Sequence, residues 1–224
     1  MLFLLERDAY SVRSVIALPS VSDIHSIALI DGGIIAVSTG TDQILAIDFA
    51  TMATTELWHA SAEMVDSHHL NAVVWSGDHL LCSGFGKKRS DRWSSAIDGY
   101  IYDITGGIYL AGGLYHPHSV VPFEGRLYYA ESSHAVLRTI EEPIARFDGY
   151  VRGVAFSPTG LCAVGTSIGR SSNDLESIVL NPADPGSGTG RCAVSITDDA
   201  RNWANATIVD CGEHANEIYD LLFV

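Results

Sequence analysis

Five short stretches of this chain open alike, with a polar or ionisable residue in one or both of the two positions before a run of apolar β-formers. They read His25-Ser26-Ile27-Ala28-Leu29, Leu70-Asn71-Ala72-Val73-Val74, His118-Ser119-Val120-Val121, Arg152-Gly153-Val154-Ala155-Phe156 and Tyr219-Asp220-Leu221-Leu222-Phe223. The second residues of these openings lie 45, 48, 34 and 67 positions apart. A strand signature that returns at this spacing points to a repeat architecture, in which each unit buries its apolar face only by stacking on its neighbours.

The hydrophobic pattern around these openings is β throughout, and no segment of about twelve residues carries helical periodicity. Turn signals at Asp31-Gly32-Gly33, Ser76-Gly77-Asp78, Thr105-Gly106-Gly107, Glu124-Gly125 and Pro158-Thr159-Gly160 cut the chain into short strands. The strands group in fours. The units run over 24–59, 70–111, 119–147 and 153–210, leaving strands at 2–7, 12–18 and 219–224. Four-strand units of this period predict a β-propeller. The leftovers from both termini combine into a fifth blade, three-stranded, that closes the ring. The expectation is one all-β domain over 1–224, a five-bladed propeller closed by N- and C-terminal strands; a β-sandwich is the alternative.

In a propeller the first strand of each blade lines a central channel, and the loops joining second to third strands lie at its mouth. Two of those loops are long here, Phe85–Asp98 and Thr166–Arg191, and long loops on a rigid scaffold concentrate function. The openings and loops therefore converge on one polar focus. Alternation puts Ser26, Asn71, Ser119, Gly153 and Asp220 in one register and His25, Leu70, His118, Arg152 and Tyr219 in the other. The sequence leaves open which register faces inward, and bulges at strand ends can present both.

Histidine supplies the first candidates. Six of the nine, His25, His68, His69, His116, His118 and more loosely His214, lie in or beside the openings. His25, His69 and His118 could hold a divalent metal, or one of them could serve as acid or base. For any single histidine, a hydrogen bond tying blades together is the commoner role. Lys87, Lys88, Arg89 and Arg92 form a local basic run; joined to Arg152 and Arg170 they suit an anionic small ligand. Asp23, Asp66, Glu131, Glu217 and Asp220 lie near strand openings or second-strand ends, where a pair could serve acid–base chemistry, although turn and capping hydrogen bonds are the commoner role. No G-x-S-x-G, G-x-G-x-x-G or Walker-type run occurs.

Composition narrows the partners. A net charge of −14, with Lys87 and Lys88 the only lysines, argues against nucleic acid and anionic membranes. With 47% hydrophobic and 18% charged residues the chain is globular rather than disordered. The opening Met1-Leu2-Phe3-Leu4-Leu5 is too short for a signal peptide, and no run reaches the roughly 18 apolar residues of a membrane span. The expectation is a soluble, cytoplasmic protein. Cys82, Cys162, Cys192 and Cys211 lack C-x-x-C spacing and sit in strand-like runs, as buried free thiols do.

Five motifs follow in order: His68-His69-Leu70-Asn71, His116-Pro117-His118-Ser119, Arg152-Gly153-Val154-Ala155-Phe156, Gly165-Thr166-Ser167-Ile168-Gly169-Arg170 and Glu217-Ile218-Tyr219-Asp220. The series resembles an uncharacterised, mostly bacterial propeller-like family of conserved hypothetical proteins, a domain of unknown function, whose signatures read roughly HLNG, PHSP, TRGL, GLSxxR and ELYD. The similarity spans about Ile24 to Phe223. It implies a propeller with a common site at these positions and no named reaction. Ser26 departs from an often acidic position, and Val120-Val121 from a proline-containing run.

The reading that results is small-molecule binding, with or without catalysis, at the channel mouth. His69, His118 and Asp220 are the catalytic candidates. His25, Asn71, Ser119, Arg152, Arg170 and Tyr219 are the ligand-binding candidates. The rival is a non-catalytic scaffold for a protein or peptide partner.

Overall fold

The computed structural model describes residues 1–6, 8–168 and 190–223. Its strands are β1 (Leu2–Leu5), β2 (Val12–Ile16), β3 (Ile24–Ile30), β4 (Gly33–Ser38), β5 (Gln43–Asp48), β6 (Thr54–His59), β7 (Leu70–Ser76), β8 (His79–Gly84), β9 (Gly99–Asp103), β10 (Ile108–Leu114), β11 (Pro117–Phe123), β12 (Arg126–Glu131), β13 (Val136–Thr139), β14 (Pro143–Arg146), β15 (Tyr150–Phe156), β16 (Cys162–Ser167), β17 (Ala193–Thr197) and β18 (Thr207–Asp210). They form four antiparallel four-stranded sheets in chain order, β3–β6, β7–β10, β11–β14 and β15–β18, together with a two-stranded sheet, β1–β2. Among the described residues no helix is long and apolar enough to cross a membrane.

The four groups are those the turn signals mark out, because the first hairpin turn of each four-stranded sheet carries a glycine with left-handed backbone. Gly32, Gly77 and Gly125 have φ of 69°, 60° and 73° and stand at the first turn of three sheets.

Successive sheets stack through separate apolar clusters, and the alternation of the second strands supplies them. In β4, Ile35 and Val37 pack with Leu70, Val73, Leu80, Cys82 and Tyr100 of the next sheet. The intervening Ile34 and Ala36 pack the opposite way, onto Leu2, Leu18 and Ile16 of the N-terminal region. Tyr129 joins Ala72, Ile101, Leu114 and Val120, whereas its neighbours Tyr128 and Ala130 join Val151, Val154, Cys162 and Val164. A strand buried on both faces reads as a continuous apolar run, as Gly33–Ser38 does.

The fifth blade differs from expectation. Among the described residues β1 and β2 pair only with each other, and the C-terminal segment from Tyr219 to Phe223, expected as a strand, joins no sheet. Among the described residues no closed fifth sheet is present. The segment nevertheless docks beside the fourth sheet. Ser167 Oγ donates to the Ile218 carbonyl at 3.3 Å and accepts from the Ile218 N–H at 2.9 Å. Thr39 Oγ1 and Ser83 Oγ donate in the same way to the carbonyls of Leu70 and Pro117, at the start of the next sheet's first strand. Two glycines leave room for this docking. A Cβ on Gly153 would lie 2.9 Å from Leu221 Cγ, and one on Gly165 would lie 2.7 Å from Ile218 Cγ2.

The Gly153→Val substitution is therefore expected to displace the C-terminal segment and cost about 2 kcal/mol in urea denaturation. Gly112→Ala in β10, where a Cβ meets nothing within 4 Å, is expected to stay within about 0.5 kcal/mol of the parent.

Candidate functional site

A channel with a cavity volume of 260 Å³ runs between the first strands of the four sheets and the C-terminal segment. Its walls come from β3, β7, β11 and β15 and from residues 219–223. The polar openings contribute His25 and Ser26, Asn71, His118 and Ser119, and Tyr219 and Asp220 to its lining. Beyond them the wall is apolar, including Val73, Val121, Phe156 and Phe223.

The polar openings coincide with a repeated backbone device. Each first strand carries one extra residue against its partner at that point. Pairing jumps from Ile24↔Ser38 to Ile27↔Ala36, from Leu70↔Gly84 to Ala72↔Ser83, from His118↔Ala130 to Val121↔Tyr128, and from Val151↔Thr166 to Val154↔Val164. A bulge of this kind re-aims side chains and leaves one residue out of the ladder. Each first strand is also preceded by a residue with positive φ: Asp23 at 54°, His69 at 48°, His116 at 54° and Gly149 at 141°. At β3 and β11 both sequence registers therefore reach the channel, with His25 beside Ser26 and His118 beside Ser119, whereas Asn71 alone lines it at the β7 opening and Tyr219 and Asp220 come from the C-terminal segment.

Asn71 is 4% exposed; its Nδ2 donates to the His69 carbonyl at 2.7 Å, and its Oδ1 has no hydrogen-bond partner among the described residues. Ser26 Oγ accepts from the Val73 N–H at 3.3 Å, and Ser119 Oγ donates to the Arg152 carbonyl. Both contacts cross from one sheet to the next. Asp220 lines the channel as an exposed residue, with protein atoms crowding one side of its carboxyl. This loss of bulk water raises its carboxyl above the ordinary aspartate value, against a smaller opposing effect of the Leu221 N–H.

The histidines divide into braces and wall groups. His116 is 2% exposed, with Nδ1 3.1 Å from Tyr150 Oη and Nε2 2.9 Å from the Trp93 carbonyl; burial pushes its pKa down to about 4. It stacks on Phe85 with ring centroids 4.1 Å apart. His118 Nδ1 lies 3.1 Å from the His116 carbonyl and 2.7 Å from Ser132 Oγ, and burial followed by the Arg152 charge holds it well below the usual histidine value. His25 is lowered by burial first and then by His69. His69 Nδ1 lies 3.2 Å from both Asp66 oxygens, and its ring packs on His25, Phe85 and Trp93. A proton on Nδ1 satisfies the oxygens around His25, His69 and His118.

Other expected residues fall elsewhere. His25, His69 and His118 do not form a metal centre: among the described residues no three His, Cys, Asp or Glu side chains could hold a metal ion. Arg152, 6% exposed, is not a wall of the channel. Its Nη1 lies 3.3 Å from Glu217 Oε2 and its guanidinium lies over the Tyr219 ring at 4.3 Å. Arg170 lies outside the described residues. In the basic run, Lys88 sits over the Trp93 ring at 4.1 Å and Arg89 pairs with Asp98 at 2.6 Å.

Two groups with no sequence signal organise the mouth. The buried Asp42 carboxylate accepts from the backbone N–H groups of Ser67 and His68, at 2.9 and 3.0 Å, and so fixes the approach to β7. Phe85, 1% exposed, is the hub of the ring cluster formed by His69, Trp93, His116 and His118.

The family model described as Domain of unknown function (DUF4915) matches residues 5–224. The chain belongs to this family. No curated protein matches at significant similarity. Among solved structures, the nidogen/laminin complex matches with a TM-score of 0.61 at 10% identity, over 97% of this chain and 76% of that one. The luciferin-regenerating enzyme matches with a TM-score of 0.59 at 10% identity, over 89% and 65%. Regucalcin, a calcium-binding protein from Agrobacterium tumefaciens, matches with a TM-score of 0.52 at 14% identity, over 82% and 58%. At these identities the likeness establishes a propeller-like all-β fold for this family member.

The neutral buried imidazoles set a pH dependence. Unfolded histidines take up protons below about pH 6.5 that the folded His116 and His118 refuse, so stability falls with pH. His116 alone is expected to cost about 2 kcal/mol between pH 6.5 and 5, measured by urea denaturation and reduced in His116→Gln. Asp220 has the opposite sign: its raised carboxyl stabilises the fold below the unfolded aspartate value of about 4 and loses that contribution as pH rises through its folded pKa. Asp220→Asn is expected to be at least as stable as the parent at pH 7, with the difference closing below about pH 4.

Proposed function

We propose that the channel is a binding site for a small hydrogen-bond-donating molecule, such as a polyol or an amine, with Asp220 as its acid–base group. The observation that carries this is the Asn71 side chain, buried in the wall with Oδ1 unpartnered. Burying such an oxygen unpaired costs about 1–3 kcal/mol, and a ligand donor would offset it. Asn71, Ser26 and Ser119 orient the ligand, Tyr219 and His25 flank it, and the raised Asp220 carboxyl is matched to proton transfer. His118, held neutral, faces the same space.

An anionic ligand has less support. The channel wall carries a carboxylate, and Arg152 lies off that wall, with Nη1 on Glu217, the guanidinium over Tyr219 and its buried Nε unpartnered among the described residues. On this reading β1–β2 and residues 219–223 stand in for an incomplete fifth blade, since Ser167 holds Ile218 as Thr39 and Ser83 hold the later first strands. The neighbours' names include an enzyme and a complex with laminin, so the fold serves both catalysis and protein binding.

A thermal-shift and NMR panel of alcohols and amines against carboxylates and phosphates tests the proposal. Donor-rich neutral or cationic compounds are expected to bind, and Asn71→Ala or Asp220→Asn to weaken them about tenfold or more. Binding confined to anions and indifferent to Asn71→Ala would overturn it.

The protein-binding alternative is favoured by one observation. Phe3 and Leu5 pair with Val15 and Val12 across β1–β2, and all four are at least half exposed. A contiguous apolar face beside an unpaired sheet edge attracts partners. A macromolecular partner retained by Asn71→Ala and lost in Phe3→Ser would support that reading.

A further inference from the structure

Cys192 and Cys211 bracket the last strand pair of the fourth sheet. The outermost rung of β17 and β18 pairs Ala193 with Asp210. One step further places Cys192 opposite Cys211, and the Cys211 N–H donates to the Cys192 carbonyl at 2.8 Å, so the ladder continues through them. Directly opposite residues in an antiparallel ladder have Cα atoms about 5.5 Å apart when hydrogen-bonded, and their side chains share one face. That separation falls inside the roughly 4.4–6.8 Å range that a disulfide spans. The other two cysteines have no such partner. Cys82 pairs with Val73 and Tyr102, and Cys162 with Phe156 and Thr197, each within a different apolar cluster.

We propose that Cys192 and Cys211 form a reversible disulfide, a redox modification site at the root of the segment that carries Asp220 into the channel. All four thiols are free in the structure, with Cys211 partly accessible and Cys192 buried. This difference sets the order of events with a low-molecular-weight disulfide as oxidant. The Cys211 thiolate attacks one sulfur of the oxidant, forms a mixed disulfide and expels one small thiol. The Cys192 thiolate then attacks Cys211 Sγ and expels the second small thiol. The protein loses two protons and two electrons, and the oxidant is reduced to two thiols.

The position gives the bond a consequence. Beyond Cys211 the chain turns, with the N–H groups of His214 and Ala215 both donating to the Cys211 carbonyl at 2.8 Å. Among the described residues its contacts include Ile168 N–H to the Asn216 carbonyl at 2.9 Å, the two hydrogen bonds between Ser167 and Ile218, and Arg152 to Glu217. No ladder fixes it. A disulfide at its root clamps the last rung beside the Arg191–Asp210 ion pair, whose shortest contact is 2.9 Å. It also shortens the free tether of the channel wall.

The experiment uses the full chain, reduced and then incubated with oxidised glutathione. Intact mass and non-reducing peptide mapping are expected to show the loss of two hydrogens, located in a Cys192–Cys211 cross-link and reversed by dithiothreitol. Tm is expected to rise by about 5 °C, and proteolysis after Cys211 to slow several-fold. The Cys192→Ala variant should stop at a glutathione adduct on Cys211, and Cys211→Ser should form no cross-link. Four unmodified thiols in the native protein, a lasting adduct on wild-type Cys211, or a cross-link through Cys82 or Cys162 would each overturn the proposal. The mapping on the unmutated chain decides the matter even if a variant fails to fold.

Discussion

The packing of neighbouring sheets through their second strands is the constraint on which everything else rests. β4 sends Ile35 and Val37 to one cluster and Ile34 and Ala36 to another, and β12 divides Tyr128 and Ala130 from Tyr129 in the same way. The second strands of the four-stranded sheets are largely buried on both faces, so each sheet packs on a neighbour. The period-two geometry of a strand turns that demand into an order of stacking. The first strands are carried to a common centre as a result.

At that centre the repeated bulge does the chemical sorting. A regular strand would show the channel either His25 or Ser26, and either His118 or Ser119. One extra residue in β3 and in β11 brings both to the wall. The left-handed residue before each strand turns the chain into this position, and at His69 and His116 it also projects an imidazole into the ring cluster around Phe85. The histidines are thereby split between holding the mouth together and lining it. Burial keeps those on the inside neutral.

The strand groups were legible because glycine-bearing turns and apolar runs are local signals. The polar openings were legible because they recur. The division of labour among the histidines was not, since His116 and His25 sit in similar sequence surroundings and differ only in what long-range packing brings to them. Phe85 is a lone aromatic between two glycines, and its role depends on rings from two sheets. Tyr219–Phe223 has the alternation of a strand but lacks a partner ladder, and alternation cannot report that. Gly153 was the odd member of its register. The structure gives the reason, which is the close approach of Leu221. Arg152 looked like an anion clamp, whereas Glu217, sixty-five residues away, already occupies its charge.

The docked C-terminal segment separates the life of the site from the life of the fold. Four sheets hold one another through apolar clusters, while the wall that bears Asp220 joins no ladder among the described residues and is anchored by hydrogen bonds to Ser167 and Ile168, by the Arg152–Glu217 pair and by the packing of Ile218 and Leu221 on Gly165 and Gly153. Local opening is cheapest where contacts are fewest. The wall of the cavity and the stack of sheets thus rest on different kinds of contact, the one polar and local to β15 and β16, the other apolar and shared between neighbours.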